Sequence, residues 1–298
     1  MTRVSEPVHG VLLLDKPHGV SSNHALQRVR FALGAAKAGH TGSLDPLATG
    51  MLPLCFGEAT KVAGLLLGAH KRYRAEFVLG VATTTDDGEG EVVSTREVTN
   101  SVCRQVHATL ATFVGRIRQR PPIYSALKQQ GVPLYKRVRR GEVVETPERE
   151  AEVFAIDHVI QNGLRVHAEI ECGSGTYIRS IARDLGERLG CGAHLGALRR
   201  LWVDPFQGQI MISLDEVLVD GIAMRGRLLP LSSALSQFPA TSLDAENAQR
   251  FQQGQPTAAS IAPSSSPIMV RGLDDALLGL GKIDADGRLW PQRVFNGL

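Results

Sequence analysis

The chain has 298 residues, 43% hydrophobic and 21% charged, with a formal net charge of +3 at pH 7. This is an ordinary soluble globular composition, long enough for one large domain plus a small one, and the charge does not by itself mark a nucleic-acid binder. Cys55, Cys103, Cys172 and Cys191 form no Cys-x-x-Cys pair, and no apolar run suits a signal peptide or a membrane span; reduced thiols in a soluble cytoplasmic protein are expected, not a zinc knuckle or a disulfide framework.

Gly10 to Asp15 reads as a short buried strand, stopped by Lys16-Pro17-His18-Gly19. Ser21 or Ser22 can cap a helix with Leu26, Val29 and Leu33 on one face and Gly34 near its end. Residues 39–53 have neither helical nor alternating period and are punctuated by Gly39, Gly42, Pro46, Gly50 and Pro53, which makes them a shaped loop. Asp45 is the only carboxylate between Asp15 and Glu58, and it sits among Leu44, Pro46 and Leu47. Pro46 restricts its backbone, and an acid in apolar surroundings resists ionisation unless a cation or donors stabilise the charge. Taken alone, Asp45 would be an ordinary turn opening and His40 a hydrogen-bonded loop histidine. Their company further along decides otherwise.

Glu58 to Leu67 reads as a second helix, with Val62, Ala63 and Leu66 inward. From Tyr73 the alternation Tyr73, Ala75, Phe77, Leu79, Val81 is a strand with one buried face. Tyr73 at its start suits core packing or a stacked base. Thr83 to Gly90 is a polar acidic turn followed by a strand from Glu91, and Val102, Val106, Leu110 and Phe113 fall at helical spacing. From Arg116 to Arg140 there are eight basic residues, Lys128 among them, and no acidic one. Tyr124 and Tyr135 interleave with these cations, a mixture suited to holding a nucleic-acid backbone and stacking bases. This block reads as an exposed, mobile excursion rather than core.

Arg165 to Cys172 alternates as another strand, and Gly173-Ser174-Gly175-Thr176-Tyr177-Ile178-Arg179 leads into a helix with Ile181, Leu185 and Leu189 on one face. Arg179 falls in the densest apolar part of the chain, where a lone charge is costly; with no obvious nearby acid before Asp184, distant Asp45 is an attractive partner. Beyond Leu201 the pattern fades. Residues 241–298 carry five basic and six acidic residues, with short strands around Ile268–Val270, Ala276–Gly281 and Leu289–Trp290, and read as a small all-β module.

These pieces resemble the TruB-type tRNA pseudouridine synthases. The resemblance rests on Asp15-Lys16-Pro17 with Gly19 and Ser21-Ser22, the stretch from Gly39 to Gly50, Lys71-Arg72-Tyr73, Gln119 with Pro121-Pro122, and Tyr124-Ser125-Ala126 with Lys128. It continues through Gly175 to Arg179 and Cys191-Gly192-Ala193-His194 with Leu198-Arg199-Arg200, covering roughly Gly10 to Leu201. It implies an α+β pseudouridine synthase fold, with a central mixed, mainly antiparallel sheet flanked by helices and loops. The expected division is a catalytic domain over 1–235, with a basic RNA-gripping insertion at about 116–150, and a β-rich, PUA-like RNA-binding module over 240–298.

The activity implied is isomerisation of the tRNA T-loop uridine at tRNA position 55 to pseudouridine, by a monomer, without cofactor or metal. Asp45 matches the catalytic aspartate, Tyr73 the tyrosine that stacks on the target base, and Arg179 the arginine paired with the aspartate. His40 matches a histidine that meets the RNA as the nucleotide leaves its stack, and Tyr177 and Leu198 match residues lining the uridine pocket. Lys16 is structural or RNA-contacting, and Lys128 belongs to the RNA grip. An ionised carboxylate suffices as nucleophile at the sugar or as base at C2′. Two rivals stand beside this reading: an N-glycosidase pairing Asp45 with Glu58 or Asp86, and a non-catalytic tRNA-binding or tRNA-folding protein.

Overall fold

The computed structural model describes residues 7–125, 127–129, 131–258 and 266–297, without the side chains of Lys128, Pro133 and Tyr135. The chain begins with β1 (Gly10–Lys16), α1 (Ser22–Ala32), β2 (Ala38–His40) and β3 (Thr49–Phe56). The Ser21 side chain caps α1 by accepting from His24 N–H. Where one helix was expected over Glu58–Leu67, a 3₁₀ turn (Gly57–Lys61) and a short α2 (Ala63–Leu67) stand instead. Gly57, Gly64 and Gly68 weaken helix propagation there, although Val62 and Leu66 do point inward.

Next come β4 (Lys71–Leu79), β5 (Val81–Thr83), β6 (Val92–Thr95), α3 (Asn100–Ala111) and β7 (Gly115–Gln119). A small hairpin of β8 (Lys128–Gln129) and β9 (Val132–Pro133) leads into α4 (Leu134–Val138). Then follow β10 (Arg149–Asn162), β11 (Arg165–Cys172), α5 (Ile178–Arg188), β12 (Ala193–Val203), β13 (Ile212–Ser213) and α6 (Leu214–Asp220). The C-terminal part holds β14 (Ala240–Leu243), α7 (Ala245–Gln252), β15 (Thr257–Ala258), β16 (Ile268–Gly272), β17 (Leu277–Ile283) and β18 (Arg288–Val294). No helix among the described residues is long and apolar enough to cross a membrane.

Among the described residues the largest sheet has nine strands, in the order β13-β1-β3-β12-β4-β11-β10-β7 with β2 on β3. Only the β1–β13 and β3–β12 pairings are parallel, so the sheet is mixed and mainly antiparallel, as expected. Both faces of β1 are covered: Leu12 and Leu14 pack under α1 and α6, while Val11 and Leu13 join a second cluster. This accounts for the unbroken apolar run of that strand. On β4 the alternation is kept, with Tyr73, Ala75, Phe77 and Leu79 packed beneath α3 and α5. Its other face is polar; there Arg72 pairs with Asp157, Glu169 and Glu171.

A separate five-stranded sheet, β14-β16-β17-β18-β15, forms the C-terminal module. It is β-rich but not all-β, because Asp244 caps α7 through Asn247 N–H. Nor is it detached. Met269, Leu280 and Phe295 share a buried cluster with Val11, Leu13, Met51 and Leu231 of the larger part.

Candidate active site

The loop carrying Asp45 is held from both sides by the segment around the end of β1. Ser22 Oγ accepts from Leu44 N–H at 2.7 Å and donates to Leu44 C=O at 2.9 Å. On the far side of Asp45, the Pro46 carbonyl accepts from Gly19 N–H at 2.8 Å and from Lys16 Nζ at 3.3 Å. Lys16 Nζ also donates to the carbonyls of Pro17 and Val20 at 2.9 and 2.6 Å. The side chain is 0% exposed, and these three carbonyl contacts are what the structural alternative for Lys16 requires. Burial lowers its pKa to about 8, against the pull of Asp45.

Arg179 stands in the first turn of α5, where the helix dipole disfavours a cation. It is 5% exposed and fully engaged. Nη2 meets Asp45 Oδ2 at 2.9 Å and donates to Tyr124 C=O at 3.0 Å. Nη1 reaches Asp87 Oδ2 at 3.3 Å and donates to Thr85 C=O at 3.2 Å. The expected long-range pair is therefore present, with a second carboxylate on the same guanidinium. Asp45 lies deep in the fold yet keeps 45% of its side chain open to the cavity beside it. Burial pushes its pKa up, Arg179 pulls it back and Asp87 adds to the rise, with a net shift upward.

That cavity has a volume of about 460 Å³ and is lined by Asp45, Tyr73, Ser125, Tyr177, Arg179, Leu198, Lys71 and Arg200, among others. The size lies within the usual range for a small-molecule site, roughly 300–1,000 Å³. Tyr177 is fixed by Gln119, whose side-chain amide donates to its carbonyl at 3.2 Å and accepts from its N–H at 3.1 Å. Tyr73 is 8% exposed; burial pushes its phenol pKa up, while Arg200 draws it back through charge and a side-chain hydrogen bond.

His40 is not brought into the cavity lining. It ends β2 opposite Leu54, and its Nδ1 accepts from Gly42 N–H at 3.4 Å. Burial and the Arg200 charge lower its pKa, so the ring is neutral near pH 7. The side chain of Lys128 lies outside the described residues. Glu58 is bound to Lys61 and to Asn296 N–H, and Asp86 to Arg183; neither forms a carboxylate pair with Asp45.

The basic block divides in two. Its first half is a wall of the site rather than an excursion: Gln119, Pro121, Pro122 and Ser125 are buried. Ser180 Oγ and Arg183 Nη2 of α5 both donate to Arg120 C=O, at 2.9 and 3.0 Å, and Arg179 holds Tyr124. Arg116, Arg118, Arg120, Lys136, Arg139 and Arg140 remain exposed, as a polyanion grip requires.

Three residues of the site carried no role in the sequence. Asp87 lay hidden in an apparently solvated acidic turn, although it is 3% exposed. Lys71 and Arg200 stood only as members of the motifs Lys71-Arg72-Tyr73 and Leu198-Arg199-Arg200, with no role of their own. Strand alternation was the available signal, since it sends Lys71 to the same face as Tyr73 and Arg72 to the other.

Three family models match consecutive stretches of the chain. They are the N-terminal domain of TruB family pseudouridylate synthase over residues 30–178, the tRNA pseudouridylate synthase B C-terminal domain over 179–236, and the pseudouridine synthase II TruB C-terminal domain over 239–295. The chain belongs to the TruB family of pseudouridylate synthases. The tRNA pseudouridine synthase B of Xanthomonas axonopodis pv. citri (strain 306) is 55% identical, over 99% of this chain and 96% of the relative. That of Xylella fastidiosa (strain Temecula1 / ATCC 700964) is 53% identical over 99% of both chains. A chain from the solved structure described as "Crystal Structure of a Cbf5-Nop10-Gar1 Complex" superposes with a TM-score of 0.71 at 27% identity, covering 93% of this synthase and 78% of that chain. A second, described as "Structure of H/ACA RNP bound to a substrate RNA containing 2'-deoxyuridine", shares the fold with a TM-score of 0.74 at 24% identity, covering 97% and 86%.

Proposed function

We propose that this TruB-family synthase converts the T-loop uridine at tRNA position 55 to pseudouridine, with Asp45 as the catalytic carboxylate. The observation that carries this reading is the Asp45–Arg179 pair, set in the wall of a cavity that Tyr73, Tyr177 and Leu198 also line. The target nucleotide must leave its stack to enter, at a cost of about a few kcal/mol. Stacking on Tyr73, worth about 1–3 kcal/mol, and phosphate contacts to the exposed cations of residues 116–140 offset that cost. His40, neutral and at the head of the Asp45 loop, meets the RNA as the base swings out. Excluding water protects a detached base and an electrophilic sugar from interception.

In the reaction C1′–N1 breaks, the base turns, and C1′ joins C5 of the same base. Asp45 either attacks C1′ or takes the C2′ proton. Arg179 holds the carboxylate in place and favours its ionised form against burial. The enzyme acts on tRNA as a monomer and needs no cofactor for an isomerisation. Incubation with an in vitro transcribed tRNA, followed by chromatographic separation of its nucleosides and reverse-transcription mapping after carbodiimide treatment, tests the reading. A pseudouridine at position 55 with no loss of RNA mass is expected. Release of free uracil would instead support an N-glycosidase, and unchanged uridine a tRNA-binding protein.

A further inference from the structure

Arg200 is the largest side chain in the fully buried set, 1% exposed, yet no carboxylate among the described residues lies within ion-pair distance of it. Its Nε donates to Met51 C=O at 2.6 Å and its Nη2 to Gly42 C=O at 3.1 Å. Lys71 is 7% exposed, and its ammonium donates to the carbonyls of Ala69 and Leu67 at 2.6 and 3.2 Å. Both cations line the cavity, and both approach Gly42, three residues before Asp45: a Cβ placed there would lie 3.7 Å from Arg200 Nη1 and 3.9 Å from Lys71 Cε. Arg200 is held there by backbone pairing, opposite Tyr73 on β4 and Gly50 on β3. Gly50 has φ of 95°, and a Cβ on it would come within 2.2 Å of the Arg200 carbonyl oxygen. Two buried cations with no carboxylate in ion-pair contact among the described residues are expensive unless an anion forms beside them.

The reaction supplies one. When C1′–N1 breaks, the bonding pair stays on N1. If an Asp45 oxygen attacks C1′, its charge is consumed in the new C–O bond. If Asp45 accepts the C2′ proton, its charge is consumed in the new O–H bond. On either route one negative charge leaves Asp45 and appears on the detached base, spread over its ring and carbonyl oxygens. Attack by C5 on C1′ then either displaces the Asp45 oxygen, which takes back the C–O bonding pair, or adds to C1′ as Asp45 returns its proton to C2′; both restore the carboxylate. Loss of the C5 proton and protonation of N1 complete an isomerisation with no net change in atoms or electrons.

Resting on the functional reading above, we propose that Arg200, backed by Lys71, is a cationic floor that stabilises the uracil anion between bond breaking and bond making. Arg179 does not serve this purpose alone: once Asp45 has given up its charge the guanidinium still faces Asp87 and still donates to the Thr85 and Tyr124 carbonyls. A preorganised donor aimed at developing charge is worth about 10²–10³-fold in rate.

The test compares T-stem-loops carrying uridine or 5-fluorouridine at the target position, in single turnover, with wild type, Arg200→Met, Arg200→Lys and Lys71→Met. Fluorine withdraws electrons and makes the detached base a more stable anion. Arg200→Met is expected to slow loss of uridine about 10²-fold and loss of 5-fluorouridine markedly less, with Arg200→Lys and Lys71→Met showing smaller defects of the same kind. If Arg200→Met does not fold, as judged by circular dichroism and stem-loop affinity, Arg200→Lys carries the comparison. Equal losses on both substrates would mean that Arg200 only braces the Met51 and Gly42 carbonyls, and would overturn the inference. Wild-type enzyme that leaves uridine unchanged would overturn the functional reading, and this inference with it.

Discussion

Asp45 and Asp87 share one guanidinium: Arg179 reaches the first at 2.9 Å and the second at 3.3 Å through different nitrogens. Asp87 therefore competes for the cation that Asp45 needs, and its own charge raises the Asp45 pKa. Together with the Thr85 and Tyr124 carbonyls it also fixes the guanidinium against following the Asp45 carboxylate.

Asp87→Asn should loosen the arrangement and slow single turnover by about 10²-fold, the scale of a misplaced catalytic group. It should also change the pH profile. In the proposed reaction Asp45 acts ionised, and its pKa is raised above the ordinary 3.8, so activity should be lost on acidification earlier than for an exposed aspartate. Removing Asp87 takes away a like charge and frees Arg179 for Asp45, and both effects move the acid limb of kcat/KM downward. An acid limb that stays in place, measured with a T-stem-loop, would contradict the coupling.

Tyr73 belongs to the cluster beneath α3 and α5 as well as to the cavity. Replacing it with Leu leaves a void and should cost about 1–3 kcal/mol of stability in addition to activity. Tyr73→Phe keeps the ring and the packing. It loses only the hydroxyl hydrogen-bonded to Arg200, so it should lower the melting temperature less than Tyr73→Leu does and keep stem-loop affinity while lowering turnover, a separation visible when thermal unfolding and single-turnover rates are compared.

Lys16→Met removes the donor shared by the Pro17, Val20 and Pro46 carbonyls. Leaving buried acceptors unmet costs about 1–3 kcal/mol. Melting temperature and turnover should fall together, because the same bond positions the Asp45 loop. Weaker stem-loop affinity at an unchanged melting temperature would instead indicate a direct RNA contact.

Truncation after Phe238 strips Met269, Leu280 and Phe295 from a shared core and removes the Val294 carbonyl that accepts from Lys61 at 2.7 Å. The expected result is a lower melting temperature together with weaker tRNA binding. A truncant as stable as the full chain would show that the C-terminal sheet is only an appendage.

Local pattern carried the strands and helices wherever burial was one-sided or cap chemistry was clear, as at Tyr73–Leu79 and Ser21. It failed at Glu58–Leu67, where glycines broke a helical period, and at Ala245–Gln252, where an eight-residue amphipathic helix lay in a segment read as β. The Asp45–Arg179 pair was legible because a buried arginine demands an anion and the nearby sequence offered none. Asp87 was not, because three-dimensional packing, not composition, buries that turn. Arg200 and Lys71 were legible as motif members but not as buried cations, because only strand pairing shows which of two adjacent basic residues turns inward.

The most direct test of the account is tritium release from a T-stem-loop labelled at C5 of the target uridine, comparing wild type with Asp45→Asn. The account predicts release by wild type and none by the variant, with stem-loop affinity changed by no more than a few-fold. Release by a folded Asp45→Asn protein at a rate near wild type would contradict it.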